Sequence, residues 1–408
     1  MKNLPTISCT GCSTCANRCP QHCIIMKADT EGFLFPSVDE TKCINCKLCE
    51  KVCPILTVQK TNPPQAIFIG RNTNLQIVQN SSSGGIFTLL AQHTITAGGV
   101  VFGAMFDKDW NVVHGYIEKE EDIFRIRGSK YVQSKIGNVY SDVKRFLKDG
   151  RQVLFSGTPC QIAGLKSFLK KQYNNLLTID FICHGVPSPI VWKKYLKENI
   201  NSLYLHNKCQ NIKDNIFPSI DNISFRDKKI GWKEYCLTIS FYNPTTKKEQ
   251  TITSKPLNDD LYLKGFLSNL YLRKSCHQCS FKSWKSGSDI TIADAWGVNY
   301  VYPQYNDNKG YSLVIILSDK GRKIVAQLKE NISIIKEPIN EDYIKKHNNA
   351  AYQSVHPHKN RKKFFKLLNK SNRPLTQIIT TCLPPPSYID KIIWSVNKRL
   401  NKFCKLWK

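Results

Sequence analysis

Two copies of one cysteine spacing constrain this chain more than any other feature. Cys9, Cys12, Cys15 and Cys19 follow CxxCxxCxxxC with Pro20 next, and Cys43, Cys46, Cys49 and Cys53 repeat the pattern with Pro54 next. Two residues between thiolates let a tight turn aim three sulfurs at one iron-sulfur cubane, while the fourth cysteine, three residues on, points to the other cluster. The expected ligand sets are therefore crossed. Cys9, Cys12, Cys15 and Cys53 would hold one [4Fe-4S] cluster, and Cys43, Cys46, Cys49 and Cys19 the second. A pair of structural zinc sites would also need four cysteines each, but not the doubled triplet or the proline that follows. Cys23 is a spare and reads as packing.

The spacing resembles the bacterial two-cluster ferredoxin module and covers residues 1–60. The compartment follows from the same residues. The chain has 17 cysteines, and five of them fall in the first 25 residues, where an export signal would need an uninterrupted apolar stretch. No apolar run approaches the roughly 20 residues that span a bilayer. The expectation is a cytoplasmic protein whose cysteines do metal or redox chemistry.

The 408 residues allow two or three domains. Residues 61–65, with Pro63 and Pro64, read as a linker. Beyond it, 66–70 is a strand candidate, and Ser81-Ser82-Ser83-Gly84-Gly85 precedes a helix over 86–97. A Ser-Gly-Gly turn before a helix offers free N–H groups to a phosphate, although such clusters are also plain caps. Segments 99–106 and 112–117 form a hairpin. Gly128-Ser129-Lys130-Tyr131 has the composition of a solvated turn. Strand 152–156, the Gly157-Thr158-Pro159-Cys160 turn, helix 161–171 and strand 176–182 make a βαβ unit, whose ligand crevice lies at the carboxyl ends of its strands. Segments 235–242 and 249–253 pair as a hairpin, 311–317 is a buried strand, and 319–329 a helix.

Cys160 falls at that crevice, where a helix start would lower its pKa, and Cys183 ends the second strand. Cys276-His277-Gln278-Cys279 adds a CxxC pair. The four thiols could make a third cluster, a zinc site, a redox dithiol at Cys276 and Cys279, or two unrelated buried cysteines at 160 and 183. Cys209, Cys236, Cys382 and Cys404 read as structural.

These motifs in this order resemble the coenzyme F420 hydrogenase/dehydrogenase beta-subunit family: Ser83-Gly84-Gly85, Gly128-Ser129-Lys130-Tyr131 with Ser134, Gly157-Thr158-Pro159-Cys160-Gln161, Phe181-Ile182-Cys183-His184-Gly185, and the CxxC followed by residues 289–297. The resemblance spans residues 66–345. It implies FAD and one [4Fe-4S] cluster, the latter on Cys160, Cys183, Cys276 and Cys279. It turns Ser82, Ser83, Gly84, Gly85, Gly128, Ser129, Lys130, Tyr131, Ser134 and Thr158 into flavin contacts. His184 becomes the candidate proton donor. The implied chain is a flavin and iron-sulfur oxidoreductase that exchanges electrons with a partner such as ferredoxin. Similar chains occur beside enzymes of bacterial surface-polysaccharide biosynthesis, so the resemblance suggests a small-molecule or lipid-linked glycan substrate. An electron-transfer subunit without its own substrate site is the alternative.

The expected fold class is mixed: a small α+β ferredoxin-like domain, an α/β flavin-binding domain at 66–345, and a basic helical tail at 356–408. The 59 Lys+Arg against 31 Asp+Glu, a formal +28, would suit nucleic acid, an anionic membrane or an acidic substrate. Yet 13 Lys/Arg against one acid, Asp390, lie in residues 356–408. The charge thus gathers in one tail rather than a groove, and nucleic acid is not the expected partner. Ile389, Ile392, Ile393, Val396, Leu400, Phe403 and Trp407 recur at helical intervals, with lysines on the other faces. That pattern suits either the headgroup layer at the inner face of the membrane or packing on the body.

Overall fold

Most of the apolar runs between residues 66 and 317 become strands of one mixed sheet in a computed structural model, which describes residues 4–57, 60–208, 220–243 and 248–384. In chain order the strands are β1 (Ile24–Ala28), β2 (Leu34–Val38), β3 (Ala66–Asn72), β4 (Val100–Phe106), β5 (Val112–Ile117), β6 (Val153–Ser156), β7 (Leu176–Phe181), β8 (Ile220–Asp227), β9 (Cys236–Asn243), β10 (Lys248–Pro256), β11 (Ile290–Asp294), β12 (Ser312–Ile316) and β13 (Ile332–Lys336). The large sheet has the order β13-β3-β12-β11-β7-β6-β4-β5. Its centre, β4, β6, β7 and β11, is parallel. The flanking strands pair antiparallel. Both faces of the centre are covered, which is why Val100, Val101 and Phe102, or Val153, Leu154 and Phe155, follow one another without a polar residue and are all at most 1% exposed.

The βαβ unit is present, but its helix, Pro159–Leu169, begins two residues before the expected 161. Thr158 and Gln161 form a capping box, and Pro159 takes the first helical position, where no N–H donor is needed. Cys160 thus belongs to the first turn. The helix over 86–97 is Ile86–Thr96, entered through Gly85 at φ 80, and the helix over 319–329 is Asp319–Gln327. The 235–253 hairpin is β9–β10, joined by β8 into a three-stranded sheet. Its turn at 244–247 lies outside the described residues, as do Cys209 and Cys404.

The N-terminal module is two short helices, Thr14–Arg18 and Leu48–Lys51, with the β1–β2 hairpin. Polar contacts help to dock it. Gln133 Nε2 donates to Thr10 O at 2.9 Å, Asn17 Nδ2 to Gly137 O at 2.7 Å, and Ser167 Oγ to Val52 O at 2.7 Å. The basic segment expected from residue 356 enters the body at its start: helices Arg361–Lys370 and Leu375–Cys382 bury Phe364, Leu375, Ile378 and Ile379 in the core that includes Phe33 of the module. The amphipathic helix expected at 388–407 lies outside the described residues. Among the described residues, no helix is long and apolar enough to cross a membrane.

Arg361 closes this junction by a two-pronged ion pair with Glu31, whose side chains are 8% and 11% exposed. Removing one partner of a buried pair leaves the other charge without compensation, at about 3–5 kcal/mol. Glu31→Ala is therefore expected to lower the unfolding free energy by that amount in chemical denaturation, and Glu31→Gln by less. A loss under about 1 kcal/mol, the range of an exposed pair, would show that the module does not depend on this contact.

Candidate cofactor sites

The module's cysteines fall into the two crossed groups. A cavity of about 470 Å³ is lined by Cys19, Cys43, Cys46 and Cys49, together with Cys23. Cys23 Sγ lies 3.3 Å from Cys19 Sγ, so the spare thiol sits in that wall. On the other side, burial raises Cys15, and the neighbouring charges that add to it are Cys12, Cys9 and Cys53. Burial likewise pushes Cys53 up to about 11, with Cys12 and Cys9 as its thiol neighbours. Cys46 is exposed, whereas Cys15 and Cys53 are buried.

The third group gathers from three segments. Cys160 in the first turn of its helix, Cys183 just past β7, and Cys276 and Cys279 around a 3-10 turn line one recess at the carboxyl ends of β6 and β7. Burial pushes Cys183 and Cys276 up to about 12, and the other thiols of the group add to both. Cys160 departs from expectation. The helix start was expected to lower its pKa, but burial and the charges of Cys279 and Cys183 raise it well above the usual thiol range. Desolvation near like charges outweighs the dipole of one helix turn.

The recess also holds polar groups with nothing to bond. Thr10 Oγ1 and Ser275 Oγ line it, are buried, and have no hydrogen-bond partner. A sulfur-rich anionic group would take such donors, as the surroundings of metal centres do. Zinc bonds of ~2.3 Å would need sulfurs nearly in contact. Among the described residues, no group of three or more His, Cys, Asp or Glu is arranged to hold a single ion.

The expected flavin residues form two linked patches at the same edge. Ser82 Oγ accepts from Ser129 N at 2.8 Å and pairs with Ser129 Oγ at 3.0 Å, which joins the Ser-Gly-Gly and Gly-Ser-Lys-Tyr turns. Ser83 Oγ donates to Tyr311 O at 2.6 Å, and Gly84 N to Ser312 Oγ at 3.0 Å. A Cβ on Gly84 would lie 2.7 Å from Ser312 N, so only glycine fits that crossing. Lys130 Nζ donates to Arg127 O and Gly128 O at 3.1 and 3.3 Å, and burial, with Arg127 beside it, pushes it down to about 7. In the second patch Gln161 joins both expected residues: its Nε2 donates to Ser134 Oγ, and its Oε1 accepts from Thr158 N, each at 2.9 Å. Thr158 Oγ1 in turn lies 3.1 Å from Cys160 Sγ. Tyr131 packs on Phe266 with the rings tilted and centroids 4.7 Å apart, and its hydroxyl accepts from Arg226 at 3.2 Å. His184 lines the third recess, held by Asn269 Oδ1 at 2.7 Å, and burial lowers its pKa.

Several residues at these sites were not evident from the sequence. Arg226 binds Asp294 through both arms at 2.9 Å while donating to Ser82 O. His114 bridges Ser134 Oγ and Ser156 O. Lys282 Nζ donates to Cys183 O at 2.6 Å and Ala350 O at 2.5 Å. Arg273 reaches Cys9 O at 2.7 Å. Isolated basic residues in polar stretches carry no signal of burial; only the proximity of Arg273 and Lys282 to the CxxC pair could have marked them.

Three family models match. "4Fe-4S dicluster domain" covers residues 8–56, and the amino-terminal and carboxy-terminal models of "Coenzyme F420 hydrogenase/dehydrogenase, beta subunit" cover 67–140 and 150–342. The chain belongs to the coenzyme F420 hydrogenase/dehydrogenase beta-subunit family. Its beta-subunit portion contains the third recess and both Ser-Gly patches, and its dicluster portion contains both cysteine repeats. It is an iron-sulfur, oxidoreductase-like electron-transfer member of that family. A chain from the F420-reducing [NiFe] hydrogenase complex of Methanosarcina barkeri is similar at 17% identity and TM-score 0.45, covering 78% of this chain and 99% of that one. No curated protein matches.

Proposed function

We propose that this beta-subunit family member is an iron-sulfur flavoprotein oxidoreductase. Its crossed sets Cys9, Cys12, Cys15, Cys53 and Cys43, Cys46, Cys49, Cys19 would hold two [4Fe-4S] clusters. Cys160, Cys183, Cys276 and Cys279 would hold a third, and the two Ser-Gly patches an FAD. When bound, such groups supply one-electron steps at the clusters and a two-electron step at the flavin toward an organic substrate. The observation that carries the proposal is the third recess, where cysteines from three segments of the body meet Thr10 of the dicluster module.

The chain's own residues supply order and insulation. The exposed Cys46 marks the end open to an electron partner such as a ferredoxin, and the more enclosed Cys9 set lies on the side of the body. Gln161 ties the Cys160 turn to Ser134, so the third recess and the flavin patch share one rigid helix start. Lys130 has no carboxylate within 4.0 Å among the described residues. An anionic phosphate or reduced flavin would supply the missing charge and draw it back to the protonated form. His184, whose pKa burial lowers and which Asn269 aims, is the group assigned to proton handling. The substrate, a sugar or lipid-linked glycan of surface-polysaccharide synthesis, follows the resemblance rather than the site.

The visible spectrum of anaerobically purified protein tests both cofactor classes at once, and flavin bands should accompany broad iron-sulfur absorption. Lys130→Ala should lower flavin content and leave the iron unchanged. Wild-type protein without flavin bands would reduce the assignment to an iron-sulfur electron carrier.

A further inference from the structure

Three arginines are buried among the described residues: Arg226, Arg273 and Arg361. Two have carboxylates, Asp294 for Arg226 and Glu31 for Arg361. Arg273 is the most deeply buried, at 1% exposure, and no carboxylate lies within 4.0 Å of it among the described residues. Its guanidinium donates to three neutral oxygens, Cys9 O at 2.7 Å, Gln133 Oε1 at 3.0 Å and Leu34 O at 3.0 Å, and lies beside the Cys9 thiol. Phe35 covers it from 4.2 Å and Phe33 from 5.5 Å. Lys228, also buried without an acid in contact, is pushed down to about 7 and can shed its proton. Arginine has no such escape. A permanent buried cation without a carboxylate is costly, so an anion beside it is favoured.

The position of Arg273 names that anion. It lines the third recess with Cys160, Cys183, Cys276 and Cys279, and Cys276 N donates to its carbonyl at 3.0 Å. Its other end grips the peptide of Cys9, in the first cysteine repeat. Arg273 therefore touches the framework of both sulfur sets, its backbone carbonyl at Cys276 and its guanidinium at Cys9, across the seam between module and body.

We propose that Arg273 is the shared counter-ion of the two facing thiolate clusters, raising the reduction potential of both and favouring electron passage across the seam. The proposal rests on the cluster assignments above. Each added electron makes a thiolate-ligated cluster more negative, and a fixed cation beside it stabilises the reduced form more than the oxidised one. The Cys43, Cys46, Cys49, Cys19 set does not share Arg273 and serves as the internal reference.

The test is an EPR-monitored redox titration of the anaerobically purified full chain, with iron counted on the same samples. Arg273→Met should shift the one-electron equilibrium of two clusters by about tenfold toward oxidation, which is ~59 mV, and leave the reference cluster in place. Arg273→Lys should keep most of the wild-type potential. Unchanged potentials in Arg273→Met at full iron content, or an equal shift of all clusters, overturn the proposal. If Arg273→Met does not assemble, Arg273→Lys decides: wild-type potentials support the charge, and a tenfold fall at full iron content overturns it. Wild-type protein lacking the third cluster's iron would sink that assignment instead, while the shift at the Cys9 cluster would still be read.

Discussion

Serine at both 276 and 279 should remove about four of about twelve irons per chain and leave the dicluster module's signal intact. The module's expected ligands all lie between Cys9 and Cys53, and among its described residues only Thr10 lines the third recess. The recess would lose half its thiolates, and a serine oxygen is a poor substitute for a soft sulfur ligand. Three further consequences separate this outcome from unfolding. The circular dichroism should be preserved, flavin should remain bound at the Ser82 and Ser129 patch, and reduction of that flavin by a ferredoxin-type donor should be lost. Unchanged iron in the double variant would remove the third cluster from the proposed function and leave the wild-type recess as four thiols without a cluster.

Gly164→Leu should uncouple the module from the body. Gly164 lies mid-helix in Pro159–Leu169 and faces the module, where a Cβ would come 2.6 Å from Thr14 Oγ1, 2.9 Å from Tyr140 Oη and 3.1 Å from Cys12 Cβ. A leucine cannot fit there without moving helix Thr14–Arg18, and overpacking of this kind costs about 1–3 kcal/mol. Spent on docking, that energy corresponds to a roughly 5- to 150-fold loss of the closed arrangement. Stopped-flow reduction of the flavin through the module should slow accordingly, while a small chemical reductant should reduce it at the wild-type rate. The module's own clusters should persist, because their ligands are unchanged. An unaltered rate through the module would show that electrons do not pass by way of this contact. Glu31, tested by stability, and Gly164, tested by rate, probe the same interface from two sides.

Much of the site was legible because its chemistry is local. CxxCxxCxxxCP sets the direction of each sulfur within one or two turns, and this holds whatever the rest of the chain does. The βαβ run 152–182 was evident for a similar reason, since strands covered on both faces are mostly apolar, here with Thr178 and Asp180 as buried exceptions. The resemblance assigned both the Ser-Gly-Gly and the Gly-Ser-Lys-Tyr turns to the flavin, but that Ser82 and Ser129 join them is a tertiary contact no spacing encodes. The helix boundary at Pro159 was missed because a capping box needs Thr158 and Gln161 judged together, and Pro159 looked like the end of a turn. β8 was missed because Ile220–Asp227 mixes polar and apolar residues without a clear period.

What the sequence by itself determined is the chemistry available: two doubled cysteine sets, four further thiols in the right order, and the small residues that let backbone approach backbone. Only the tertiary structure decided which charges are compensated. Arg361 meets Glu31 across 330 residues of chain, and Arg226 meets Asp294 across 68. Arg273 meets Cys9 across 264 and finds no acid within reach among the described residues. A basic side chain looks the same in a sequence whether solvent or protein surrounds it. Its cost, and so its partner, appears only when folding removes the water.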